Sequence, residues 1–241
     1  KNYMESPNVA NVSLDTDVTA KSLYTITVTS PKNLNLNGHT LKNVKFIVNE
    51  LNENSALEFW GGESGATISS NDTIIDLKRG STRINDMHLV STSTEKPVVL
   101  VEGGSFGYNS TASSIEGAAI GMVVDAPNGA RAQVGGTLTA PVAVKVINNN
   151  SINDNGLWIE KGDNDHGQVI INGKVEVNAG RLVFFSGKID SSSIEDSTAL
   201  TVTNDAWCNI QKGVEIVGNL SAVKLSGNSG MDVKGATFKG K

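Results

Sequence analysis

A single cysteine, Cys208, stands in a chain of 241 residues, so no internal disulfide framework holds this protein together. Aromatic residues make up only 5% of the chain and there are five prolines. That is too few large apolar side chains for the thick core of an ordinary globular enzyme. Lysine and arginine never gather into a run, and the formal net charge is -5, which excludes the basic footprint of a nucleic-acid binder. No apolar stretch approaches the roughly 18 residues that would span a bilayer. The opening segment, Lys1 to Ser6, lacks the apolar stretch of a signal peptide. Nowhere does a helical period persist for ten residues. The pairs Gly61-Gly62, Gly103-Gly104 and Gly135-Gly136 read as corners between strands and not as phosphate-binding turns into a helix.

What the sequence has in quantity is glycine, 25 residues, with asparagine, serine, threonine and evenly spread valine, leucine and isoleucine. The even spread of apolar residues argues against disorder. A short unit recurs: apolar, any, apolar, then a polar or glycine corner. It begins at Leu57, Ile75, Val99, Met122 and Val144, and again at Leu182, Leu200 and Val223. The intervals from Leu57 to Val144 are 18, 24, 23 and 22 residues, and Leu200 to Val223 is 23. Further short strands lie inside each period, such as Cys208-Asn209-Ile210 and Val214-Glu215-Ile216. Each alternates inward and outward over too few residues to be stable alone. Near-constant repetition of strand and corner predicts a solenoid. Stacking then buries a narrow column that one unit could not bury. A β-sandwich of hairpins would not repeat its unit at this spacing.

The run Leu36-Asn37-Gly38-His39-Thr40-Leu41, preceded by the strand Ile26-Thr27-Val28 and by Thr29-Ser30-Pro31-Lys32, resembles the opening turn of pectate-lyase-like β-helix proteins. The resemblance implies a right-handed parallel β-helix with three-strand turns of about 18–24 residues. It also implies residence outside the cell, on the surface or in the secretions of a bacterium, and implies no particular activity. On this reading residues 1–241 form one domain, with lead-in or cap strands over 1–33, stacked turns over 34–241 and long polar corners at 148–167. The chain stops at Thr237 to Lys241 within an apparent turn. The expectation is a longer parent protein, or another subunit over that end.

Aligning the repeated strand puts its first and third residues inside. One outward column then reads Glu58, Asp76, Leu100, Val123, Lys145, Thr201 and Lys224, and its neighbour reads Trp60, Lys78, Glu102, Asp125, Ile147, Phe185, Thr203 and Ser226. Stacked about 4.8 Å apart, Glu58, Asp76, Glu102 and Asp125 would form an acidic strip, interrupted by Lys78 and flanked by Trp60. An indole beside carboxylates suits a sugar, whose ring stacks on the one while its hydroxyls donate to the other. The same charges equally make a solvated face. Trp158 and Phe185 also point outward and join Trp60 as candidate partner surface.

Two carboxylates about 5–9.5 Å apart would also satisfy the geometry of glycoside hydrolysis. However, the Asn-Thr-Asp, Asp-Asp, Gly-His-Gly and Arg-Ile-Lys signatures of the polygalacturonase-like branch are absent. Asp163-Asn164-Asp165-His166-Gly167 matches them only superficially, and Arg83-Ile84-Asn85-Asp86 lacks the lysine. His39, His88 and His166 have no metal-ligand spacing. No cofactor is expected; calcium at Asp163 and Asp165 is the one metal candidate. His39 is expected to bond backbone at its corner, and Cys208 to fill core space.

These readings converge on a non-enzymatic extracellular module that binds a polysaccharide or a host or cell-surface partner, with adhesion or glycan binding as its role. The ligand-binding candidates are Glu58, Trp60, Asp76, Lys78, Glu102, Asp125 and Trp158. The alternatives are a polysaccharide lyase or glycoside hydrolase with an atypical site around Glu58, Asp76, Lys78 and Glu102, and a structural shaft such as a phage tailspike.

Overall fold

Strands of three to five alternating residues, each ended by glycine or asparagine, bury one face only if copies stack on them. The computed structural model, which describes residues 2–49, 56–63, 65–108, 110–149, 156–160 and 167–241, shows that stacking: the chain winds as an all-β parallel solenoid. Its one described helix is a single turn, Asn2–Glu5.

Each turn contributes to three faces. The first is a ten-stranded parallel sheet running from Asn11–Ser13 through Lys32–Asn35, Ala56–Trp60 and Ser81–Asn85 to Gly230–Val233. The second and third belong to one hydrogen-bonded sheet folded along a corner. Strand Thr40–Asn49 shows how: Thr40, Leu41 and Lys42 pair with Thr67, Ile68 and Ser69 on the second face, whereas Phe46, Ile47 and Val48 pair with Ile75, Asp76 and Leu77 on the third. The segment expected to be a lead-in winds in register with the turn after it, because Val12 pairs with Leu34 and Ile26 with Phe46.

The core is made of columns. On the third face Ile26, Phe46, Ile75, Val99, Met122, Val144, Val175, Leu200 and Val223 stack through successive turns. On the first, Val12, Leu34, Phe59, Ile84, Tyr108, Val134, Ile159, Phe184, Ile210 and Val233 do the same. Between the faces, Phe46 and Phe59 meet edge to face with ring centroids 5.0 Å apart, a contact worth about 0.5–1.5 kcal/mol beyond burial. Cys208 lies in a first-face column between Leu182 and Met231. Burial pushes its thiol up to about 12, as suits a core residue and not a nucleophile.

Two strands of the expected repeat belong elsewhere. Leu57 pairs with Lys32 and Thr82, and Leu182 with Leu157 and Cys208, all on the first face. Their places on the third face are held by Phe46 and Val175. All three faces share the apolar-any-apolar pattern, so alternation alone does not tell them apart. The 18-residue step from Leu57 to Ile75 crosses within one turn and is not a full turn.

Corners use unusual backbone angles where sequence expects them. Asn37 and Gly38 both have positive φ, 48° and 80°. The Asn37 amide secures that corner to the preceding turn, donating to Ser13 Oγ at 2.7 Å and to the Leu14 carbonyl at 2.9 Å. At Gly104, φ is 74° and any Cβ would lie 2.0 Å from the Gly80 carbonyl oxygen, so only glycine fits. Of the long corners expected at 148–167, residues 150–155 and 161–166 lie outside the described residues, and Asp163, Asp165 and His166 with them. Between them Gly156–Ile159 is not a corner but a strand of the first face.

Candidate binding face

The solenoid divides the seven candidate residues between two faces. Asp76, Lys78, Glu102 and Asp125 lie together on the third face, as expected. Glu58, Trp60 and Trp158 lie on the first, so the acidic strip does not include Glu58 and is not flanked by Trp60. The cause is the assignment of Leu57: moving that strand to the first face carries Glu58 and Trp60 with it. Phe185 likewise follows Leu182 to the first face.

On the third face the charges are paired. Asp76 is nearly buried, with Lys45 Nζ at 3.0 Å and Lys78 Nζ at 3.1 Å from its two carboxylate oxygens. Lys78 also donates to Glu102 in the next turn. Asp125 accepts from the Asn148 amide at 3.0 Å. Asn148, not Ile147, takes that place because the register slips by one residue at Val124/Asp125. The outward positions beside this ladder are apolar, Ile47, Leu100 and Val123. The arrangement balances charge turn by turn and leaves Asp76 with two lysines on it, a poor state for a group that must accept from a ligand.

The second face carries a similar ladder. Lys188 lies 2.8 Å from Asp190 and 4.0 Å from Glu215, and Lys239 reaches Glu215. Burial works against the Asp190 charge. Hydrogen bonds from Lys188 and from the Ser192 hydroxyl and amide outweigh that, and the carboxyl is held down at about 2. The same contact raises Lys188. His39, expected to bond backbone, instead directs Nδ1 at Asp17, 3.4 Å away. Asp17 is lowered chiefly because it accepts from the Thr40 amide, with His39 adding to the effect. His88 meets Ser114 at 2.8 Å, in a different turn. Among the described residues no three histidine, cysteine or carboxylate side chains converge as metal ligands.

The first face differs in kind. Its outward positions carry three exposed aromatic rings: Trp60 near one end, and Phe185 and Trp207 toward the other. Trp60 borders an open groove of about 510 Å³, lined with Asn11, Ser13, Asn33, Asn35 and Glu58. Amides dominate this lining because successive turns repeat the same outward position. Asn11 pairs with Asn33, whose amide donates to Asn11 Oδ1 at 2.9 Å, and Asn35 pairs with Trp60. Glu58 lies 3.5 Å from Arg83 in the following turn, the long limit of an ion pair. Both Asn11 and Asn35 were passed over in the sequence, although Asn-Val-Ser at 11–13, Asn-Leu-Asn at 33–35 and Glu-Phe-Trp at 58–60 place polar residues about one apolar centre each time.

Four strands further along the same face, Trp158 stacks on Phe185 with centroids 5.5 Å apart and planes 20° apart. The Arg131 guanidinium covers the other side of Trp158 at 4.7 Å from the ring centroid. It also reaches Glu160 at 3.6 Å. Trp207 lies across Gly230, where a Cβ would come within 2.1 Å of the indole. Trp60 and Trp158 are four strands apart on a common flat surface, about 19 Å at roughly 4.8 Å per strand. An elongated molecule could touch both ends at once.

Fold and surface together define a parallel β-solenoid with one aromatic, amide-lined face and two faces closed by ion pairs. No protein-family profile, curated protein or solved structure matches the chain.

Proposed function

We propose that the first face is the glycan-binding surface of a non-enzymatic extracellular module, belonging to a bacterial surface or secreted protein of the pectate-lyase-like kind. The observation that carries this reading is the groove at Trp60. It sets an indole, 44% exposed, beside three asparagine amides and one carboxylate. A pyranose presents apolar C–H faces and hydroxyl edges. The indole suits the first and the amides, which both donate and accept, suit the second. A rigid β-face holding such groups needs little reorganisation to bind, which favours affinity for a weakly apolar ligand. The volume falls within the usual range of ligand clefts. The ion pairs around Asp76 and Glu102 favour a binding role over a catalytic one, since a general acid or base on that ladder would first have to leave its lysines.

The test is retention on a panel of plant, host and microbial polysaccharides, recording released product alongside binding. The expectation is retention of at least one glycan without turnover, weakened in Trp60→Ala by about 1–2 kcal/mol, roughly 5–30-fold in affinity. New reducing ends or ultraviolet-absorbing unsaturated products would overturn the non-enzymatic reading. Retention unchanged in Trp60→Ala would remove the groove from it.

A further inference from the structure

Between the two aromatic ends of the first face, Gly107 interrupts the line of outward side chains. Arg83 precedes it in the column and Gln133 follows it. Ser105 stands two residues to one side, with Arg131 directly above it in the next turn. The missing side chain leaves a notch of about 160 Å³, lined by Arg83, Ser105, Phe106, Gly107, Arg131 and Gln133. Phe106 turns its ring into the core, so it presents only backbone there. Every polar side chain on the lining carries a donor: two guanidinium groups, a hydroxyl and an amide. No carboxylate lines it. In a chain of net charge -5, this notch collects donors of one kind.

Both arginines have capacity to spare. Among the described residues each makes one ion pair near the long limit, Arg83 to Glu58 at 3.5 Å and Arg131 to Glu160 at 3.6 Å. A guanidinium has five N–H donors. Arg131 is further oriented by its stacking on Trp158, which fixes the plane of the fork toward the notch side of the ring. Donors on opposite walls and on the floor edge match an anion whose oxygens diverge in three directions. A tetrahedral ester oxyanion has that shape, whereas a carboxylate presents two oxygens in one plane.

We infer that the notch at Gly107 binds a sulfate or phosphate ester carried by a glycan, gripped between Arg83 and Arg131 with Ser105 and Gln133 completing the contacts. This deepens the glycan-binding reading of the same face by naming the chemistry of its ligand, but it rests on a different pocket. The notch is two to three strands from Trp60, on the order of 10–14 Å, so one chain could place a sugar on the indole and its ester two or three residues along in the notch.

The test uses the full chain and four probes at matched polymer length: dextran sulfate, phosphorylated dextran, carboxymethyl dextran and unmodified dextran. The sulfated or the phosphorylated polymer should bind at least tenfold tighter than the carboxymethyl one. Gly107→Val should lose at least tenfold of that binding although no charge changes. Gly107 has no positive φ, and a Cβ there would rest 3.4 Å from the Gln133 Cβ, so valine fills the notch without breaking the strand. Arg83→Gln with Arg131→Gln should lose as much or more. Lys145→Gln with Lys224→Gln, which removes the same charge from the third face, should stay within twofold of the parent. Which ester binds tighter separates the two sources. Equal binding of the carboxymethyl polymer, an unaffected Gly107→Val chain or an equal loss in the lysine pair would overturn the inference. Trp60→Ala separates the two readings: notch-dependent binding that ignores Trp60 keeps this site and discards the groove, and the converse keeps the groove alone.

Discussion

Thr82 is the polar intruder in a first-face column, between Leu57 and Phe106, and is fully buried. Its hydroxyl has no hydrogen-bond partner among the described residues. Leaving a buried hydroxyl unbonded costs about 1–3 kcal/mol. Thr82→Val keeps the shape and the β-branch, so rotamer freedom hardly changes, and it replaces the hydroxyl with a methyl that belongs in the column. The expected gain is at least about 1 kcal/mol, which for a chain of this size raises the melting midpoint by roughly 2–4 °C. The converse substitution, Val99→Thr, puts a hydroxyl into the fully buried third-face column and should lose about 1–3 kcal/mol. Urea unfolding followed by far-UV circular dichroism reads both, with the midpoint moving and the slope unchanged. If Thr82→Val were no more stable than the parent, the hydroxyl would have a bond in solution. The inward assignment of that column would then need revision.

Two further perturbations test other parts of the architecture. Lysine placed at Val99 should destabilise by about 4 kcal/mol, because its pKa must fall some three units to be buried uncharged. Lysine at the adjacent Leu100, which points outward and pairs across the sheet with Asp76, should cost less than about 1 kcal/mol; similar losses at both positions would show the strand register to be wrong by one residue. In acid, Asp190 contributes stability that is fully present above its unfolded value of 3.8 and is lost as pH falls toward about 2, because the folded state holds the carboxyl below the unfolded one. Asp190→Asn should therefore flatten the stability profile between about pH 4 and 2, measured by urea titration at each pH, and an unchanged profile would refute the role of the Lys188 contact.

The alternation and the corner glycines made the solenoid legible, because both follow from the few backbone shapes a short strand and a tight corner allow. Ile75, Val99, Met122, Val144, Leu200 and Val223 do stack as one column. What alternation could not supply was the face to which a given strand belongs. Ser81-Thr82-Arg83-Ile84-Asn85 and Pro97-Val98-Val99-Leu100-Val101 are equally good strands, and nothing local says that one is on the first face and the other on the third. Regular spacing would have told them apart. Along the first-face column from Val12 to Val233, successive members are 22 to 26 residues apart. The third-face column jumps from Phe46 to Ile75 and from Val144 to Val175, wherever a long corner intervenes.

That assignment decides the reading of the surface. With Glu58 and Trp60 placed beside Asp76, the outward residues make an acidic strip. Placed where hydrogen bonding puts them, Asp76 and Glu102 fall among Lys45 and Lys78, and Glu58 falls next to Arg83. Pairs of opposite sign in successive turns are what a solenoid needs for stacking, since like charges about 4.8 Å apart would repel along the whole axis. A position that breaks this pairing rule therefore has to be tolerated at some cost or retained for some other use. The second and third faces keep the rule. On the first face it lapses at Gly107, where a strand gives up its outward side chain between an arginine and a glutamine, and at Trp60, Phe185 and Trp207, where large rings stand in water. Those departures lie on one side of the molecule, in line with the axis, and it is their alignment more than any single residue that marks this face as the one that meets a partner.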